Sequence, residues 1–163
     1  MRYFFRFPDP VNEVSARLVA GGVVLMSLVA IIGQVSWLLP VIAFGFIARV
    51  LFGPRVSPLA LFVTRVLEPR LPIAPRPTPG PPKRFAQGMG AALSTVAVVL
   101  LFGFGLSFAA YVAIAMLVVA ASLESFAGLC LGCRIFAVLM RAGVIPESVC
   151  EACADISRRR VTS

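Results

Sequence analysis

The sequence predicts an all-α integral membrane fold: a four-helix bundle of two helical hairpins, with short cytoplasmic amphipathic helices. Three observations carry this expectation. Hydrophobic residues make up 60% of the 163-residue chain and charged residues 13%, against about 45–50% and about 25% in soluble domains. A soluble chain of this length has too little interior to hide so much apolar surface. The apolar residues fall into four runs of near-spanning length, and the basic residues lie on one side of those runs.

The first helix is expected over residues 10–32. Asp9 can cap it, Pro10 can stand in its first turn, and Glu13 complements the positive helix end. Its apolar part, 14–32, is interrupted by Ser15, Arg17 and Ser27. At about 1.5 Å per residue that part measures about 28 Å, close to the hydrocarbon thickness of a bilayer. The aromatic and basic residues ahead of it, from Arg2 to Phe7, suit the headgroup layer. An uncharged turn at 33–36 and Trp37 then mark the far interface.

The second helix is expected over 37–52, with Arg49 snorkelling from its end toward headgroups. Gly53-Pro54 stops it. Residues 57–67 read as a short amphipathic helix on the membrane surface, Arg65 outward. Pro69, Pro72, Pro75, Pro77, Pro79, Pro81 and Pro82 make 69–82 a stiff cytoplasmic linker, read as a spacer rather than a docking peptide for a proline-binding module. Lys83-Arg84 precedes a third helix over 85–104, whose small residues Gly88, Gly90, Ala91, Ala92 and Ser94 favour close packing. After the uncharged turn at 103–105 a fourth helix covers 106–127, with a continuation to Cys130 also compatible. Residues 1–129 are therefore expected to form the transmembrane domain and 130–163 a cytoplasmic tail.

The net charge is +8, from 15 basic and 7 acidic residues. In a soluble protein such a balance points to nucleic acid. Here the basic residues flank apolar runs, which points to the positive-inside rule and lipid headgroups, and away from a nucleic-acid partner. Both uncharged turns lie on one side, so both termini are expected in the cytoplasm. Lys83 is the single Lys, and the Arg, Ala, Val, Gly and Pro bias fits a GC-rich bacterial genome. The expected location is thus a bacterial cytoplasmic membrane, crossed several times. No cleavable signal peptide is expected, because Asp9 and Glu13 precede the first apolar run and no small-x-small site follows it.

The cysteines form two Cys-x-x-Cys motifs, Cys130/Cys133 and Cys150/Cys153. The intervening segment 134–149 falls within the roughly 15–20-residue spacing of four-cysteine zinc sites. It reads as a short helix from Arg134 to Arg141 ended by Gly143, then a second helix begun at Pro146-Glu147 that puts Cys150 and Cys153 on one face. A reducing cytoplasm disfavours a permanent disulfide. Three readings stand side by side. One is a zinc site of Cys130, Cys133, Cys150 and Cys153. Another is thiol–disulfide or persulfide chemistry, with Arg134 lowering the thiol pKa of the neighbouring pair. The last is cysteines packing as small apolar side chains. There is no His, hence no mixed Cys/His site and no His base.

Glu124 lies inside an apolar run, where a carboxylate needs a partner, water or a proton. It could relay protons, bind a cation, pair with Arg, or simply hydrogen-bond Ser122, Ser125 or another helix. No phosphate-binding glycine loop is present, and few polar residues could line a channel.

Asp9-Pro10-Val11-Asn12-Glu13 with Arg17, Gly53-Pro54-Arg55-Val56-Ser57-Pro58-Leu59, Leu123-Glu124-Ser125 and Gly128-Leu129-Cys130-Leu131-Gly132-Cys133 together resemble a family of small bacterial membrane proteins, domain of unknown function 4395. The resemblance runs through about Arg141. It implies the membrane fold and, because some members are associated with thioredoxin-like or sulfurtransferase proteins, thiol or sulfur chemistry at Cys130 and Cys133. Cys150 and Cys153 would be a second pair, and Glu124 a nearby ionisable group. The alternative is a non-enzymatic scaffold tied by zinc, or an accessory subunit whose small-residue faces pack in a homo-oligomer or a larger membrane complex.

Overall fold

A computed structural model describes residues 10–149. Within them lie six α-helices: α1 Glu13–Ile32, α2 Leu38–Phe52, α3 Pro58–Phe62, α4 Gly80–Val98, α5 Ser107–Ala127 and α6 Leu131–Arg141. Four segments have the length and apolarity to cross a bilayer: Glu13–Ile32, Leu38–Arg55, Gly80–Gly103 and Ser107–Ala127, with mean hydropathies of 2.1, 1.5, 1.8 and 1.9. Large apolar side chains such as Leu25, Phe44, Phe102, Phe108 and Phe126 face outward from them. In water that surface would drive aggregation; in lipid it is the solvated face. These features mark a multi-pass membrane protein.

Connectivity and packing differ. The short turns join α1 to α2 and α4 to α5, yet the most extensive contacts run between α1 and α5 and between α2 and α4. The core where they meet is built from Val23, Val24, Leu39, Ile42, Phe46, Ile114 and Leu117 with alanines from α1, α4 and α5. Small residues matter because no hydrophobic force pulls helices together in lipid, so close van der Waals approach must do it. Gly90 of α4 shows this: a Cβ there would sit 2.3 Å from Phe46 Cε1 of α2.

Several boundaries depart from the sequence expectation. α1 begins at Glu13, because Val11–Asn12 (β1) pairs antiparallel with Pro77–Thr78 (β2), Val11 opposite Thr78 and Asn12 opposite Pro77. The cap is Asn12, whose side chain accepts from Val14 N at 3.1 Å; Asp9 lies outside the described residues. Arg76 N also donates to Asn12 Oδ1 at 3.1 Å and Glu13 N to Arg76 O at 2.8 Å. The proline-rich stretch is thus pinned to the start of α1.

α4 begins at Gly80, five positions before 85, with Pro81 and Pro82 in its first turn. The first N–H groups of a helix have no internal partner, so proline costs nothing there. The surface helix after α2 is α3 extended by a wide turn over Val63–Leu67. Ala60 and Val63 pack on Val19 while Arg65 is exposed. α5 does not run on to Cys130. It stops at Ala127, and Gly128 reverses the chain at φ 66°, a conformation that a residue without Cβ adopts freely.

Candidate functional site at the charged end of the long helices

The reversal at Gly128 makes Cys130 the N-cap of α6. Cys130 Sγ accepts the Cys133 N–H at 3.3 Å, and the Cys133 S–H is directed at Cys130 Sγ with the sulfurs 2.6 Å apart. Both are free thiols; Cys130 is buried and Cys133 half-buried. The N-terminus of a helix favours negative charge. The Cys133 S–H donated to Cys130 is the largest influence on the pair: it holds the Cys130 thiol below its ordinary value, aided by Lys83 and the Cys133 N–H and opposed by burial and Glu124. The same contact, with burial, pushes the Cys133 thiol up. The acidic member is therefore Cys130. The cation that acts on it is Lys83 of α4, not the adjacent Arg134, which is exposed.

α6 is fixed against α4 at two points. A Cβ on Gly132 would lie 2.5 Å from both Cα and Cβ of Ala86, so α6 packs on α4 at a distance only glycine permits. Phe136 and Phe85 stack with ring centroids 5.7 Å apart at 58°, a tilted geometry suited to aromatic quadrupoles. The contacts bring the Cys130–Cys133 pair over the first turn of α4.

Glu124 is paired. Its Oε1 accepts from Lys83 Nζ at 2.7 Å, with side-chain exposures of 15% and 8% respectively. Of the partners the sequence leaves open for Glu124, the structure supplies another helix: the group is Lys83 of α4, rather than an Arg, Ser122 or Ser125. The Ser125 region has a different role: Arg17 of α1 donates to the carbonyls of Ser125 and Phe126 at 3.2 Å. It satisfies the last carbonyls of α5, where a positive charge also complements the helix dipole.

Arg49 departs most from expectation. It does not snorkel outward; it is 5% exposed. Nε donates to Gln87 Oε1 at 2.9 Å, and the guanidinium lies 4.4 Å above the Phe46 ring, a cation–π contact of about 0.5–2 kcal/mol. Nη1 has no partner among the described residues. The packing of Gly90 on Phe46 sets the ring in this position. Arg49, Gln87, Glu124 and Cys130 line one cleft of about 160 Å³, so the thiol and the charged groups share an accessible space.

Among the described residues no group of three or more His, Cys, Asp or Glu side chains is arranged to hold a metal. Cys150 and Cys153 lie outside the described residues, as does most of the helix expected from Pro146-Glu147, of which Glu147–Val149 forms one turn. Cys130, Cys133 and Glu124 do come together. Lys83, Arg49 and Gln87 were not foreseen at the site. The signals for them were present: the single Lys of the chain, and an Arg inside a span.

The model of the family described as domain of unknown function (DUF4395) matches residues 11–141. That range holds Arg49, Lys83, Glu124, Cys130 and Cys133, and ends before Cys150 and Cys153. No match was found among curated proteins or among solved structures. With most of its length matched, the chain belongs to the DUF4395 family.

Proposed function

We propose that this protein is a thiol-handling protein of the bacterial cytoplasmic membrane. Its four long helices form a membrane-spanning bundle, and Cys130/Cys133 work at the cytoplasmic face. The observation that carries this reading is Cys130 at the N-cap of α6, accepting from both the N–H and the S–H of Cys133. A thiolate there is a nucleophile with its resolving thiol already in contact.

The reaction class is thiol–disulfide exchange. The Cys130 thiolate attacks one sulfur of a partner disulfide, giving a mixed disulfide and releasing the partner's other sulfur as thiolate. Cys133, deprotonated in turn, attacks Cys130, closing the Cys130–Cys133 disulfide and freeing the second partner thiol. Two electrons pass to the partner and two protons leave the Cys pair. Reduction of the pair runs the same steps backward. The partner is a soluble thioredoxin-like or sulfurtransferase protein, and Cys150/Cys153 form a second relay pair. Cytoplasmic termini follow from the positive charge at one end of the long helices.

A second reading is favoured by the spacing of the motifs: a scaffold in which Cys130, Cys133, Cys150 and Cys153 hold zinc. Metal analysis of detergent-purified protein, with thiol titration, separates the two. Thiol chemistry expects metal-free protein whose Cys130/Cys133 pair oxidises and is reduced reversibly. One zinc per chain, lost in Cys150→Ser, would sink it. A reporter fused after Ser163 is expected on the cytoplasmic side; a periplasmic signal would reverse the orientation.

A further inference from the structure

Arg49, Gln87, Glu124 and Cys130 form only part of the wall of the cleft they share; every other residue that lines it is apolar. Its exposed members are Met116 of α5, 59%, with Leu131 and Ile135 of α6, 40% and 41%. The mouth therefore lies on the outer surface of the helices, beside α6. Met116 stands eleven residues before Ala127, where α5 ends. That is a rise of about 16 Å, half of a hydrocarbon core about 30 Å thick. In a membrane-spanning bundle this rim faces lipid tails, while Glu124 and Cys130 stand toward the charged end.

Three properties define an occupant. It is lipid-soluble, because it enters from the bilayer. It is small or flat where it meets the thiol, because the volume is about 160 Å³, below the roughly 300 Å³ at which pockets for whole organic ligands begin. It reacts with two thiols in sequence, because Cys130 lines the cleft and the Cys133 S–H is directed at Cys130 Sγ with the sulfurs 2.6 Å apart. A lipid acyl chain meets the first two conditions and gives Cys133 no role. A quinone meets all three. One planar ring enters the cleft, a tail stays among the lipids, and the ring takes two electrons from a dithiol.

We infer that the cleft between α4 and α5 takes the ring of a lipid-soluble quinone, which oxidises the Cys130–Cys133 pair. The inference rests on the thiol reading and adds a second electron partner to it. The Cys130 thiolate adds to a ring carbon, forming a C–S bond and moving an electron pair onto a ring oxygen, which takes a proton. The Cys133 thiolate then attacks Cys130 Sγ. The S–S bond forms, the C–S bond breaks, and its electron pair makes the ring aromatic as a hydroquinone, whose other oxygen takes the second proton. The pair loses two electrons and two protons, and the quinone gains both. A partner dithiol reduces the disulfide again by exchange.

The test uses the full chain, reduced and free of oxygen, in lipid nanodiscs. Decyl-ubiquinone is added to one sample and oxidised glutathione, a water-soluble disulfide, to another. Quinone absorbance is followed, and mass spectrometry reads the state of Cys130 and Cys133. One quinone reduced per Cys130–Cys133 disulfide formed is expected. Ala120→Phe, which fills the cleft from α5, should slow the quinone reaction at least about tenfold and leave the glutathione reaction unchanged. Ala120→Leu takes its place if circular dichroism shows lost helicity. A pair oxidised by glutathione disulfide and not by the quinone would overturn the inference and leave the thiol reading standing. A pair oxidised by neither would overturn both. Quinone reduction that persists in Cys130→Ala, or that is unchanged by filling the cleft, would also overturn it.

Discussion

Lys83 Nζ lies 2.7 Å from Glu124 Oε1, joining the first turn of α4 to the last turn of α5 beside the cysteine pair. Neither partner reaches solvent freely, so removing one leaves the other as a buried lone charge. Lys83→Met or Glu124→Leu should each destabilise by about 3 kcal/mol, while the double substitution should recover most of the loss. Denaturant unfolding in detergent measures all three. Additive losses in the double variant would show that the pair is not coupled.

The thiol of Cys130 is held below its ordinary value of 9.0, chiefly by the S–H donated from Cys133. Only the thiolate is alkylated, so the iodoacetamide rate at Cys130 should rise with pH through a midpoint below 9.0. Cys133→Ala removes the largest stabilising contact and should move that midpoint upward. Mass spectrometry of timed alkylations reads both profiles. An unmoved midpoint would mean that the Cys133 contact does not govern Cys130.

Two glycines of similar sequence setting should respond differently to a methyl group. At Gly132 the added Cβ meets Ala86 Cα and Cβ at 2.5 Å, and helix backbone cannot yield. Gly132→Ala should lift α6 from α4 at a cost of about 1–3 kcal/mol and speed alkylation of buried Cys130. Gly88 meets nothing within 4 Å, so Gly88→Ala should be neutral or stabilising by up to about 1 kcal/mol, as alanine favours helix. Thermal melts of the pair in one detergent decide the contrast.

Arg17 donates to two carbonyls of α5 from the adjacent α1. Arg17→Leu leaves those carbonyls and the negative helix end unmet and should cost about 1–2 kcal/mol. Arg17→Lys should recover only part of this, because an ammonium cannot fork across two carbonyls as a guanidinium does. A melting temperature unchanged in Arg17→Leu would assign the α5 terminus to Gly128 alone.

The sequence by itself determined the long apolar helices, their uncharged turns and the family, because hydrophobic runs and glycine–proline stops are local properties. It also singled out Cys130, Cys133 and Glu124, as a paired motif and a carboxylate in an apolar run stand out without a fold. Tertiary structure alone decided the partners. Lys83 reaches Glu124 across a separation of 41 residues and Arg49 reaches Gln87 across 38. Periodicity within one helix cannot tell which neighbour its face will meet. The α1–α5 and α2–α4 packing made that choice, and it turned Arg49 inward where its position near a helix end suggested outward. The cap moved from Asp9 to Asn12 for a similar reason, because the β1–β2 pairing that keeps Asn12 extended joins segments distant in the chain.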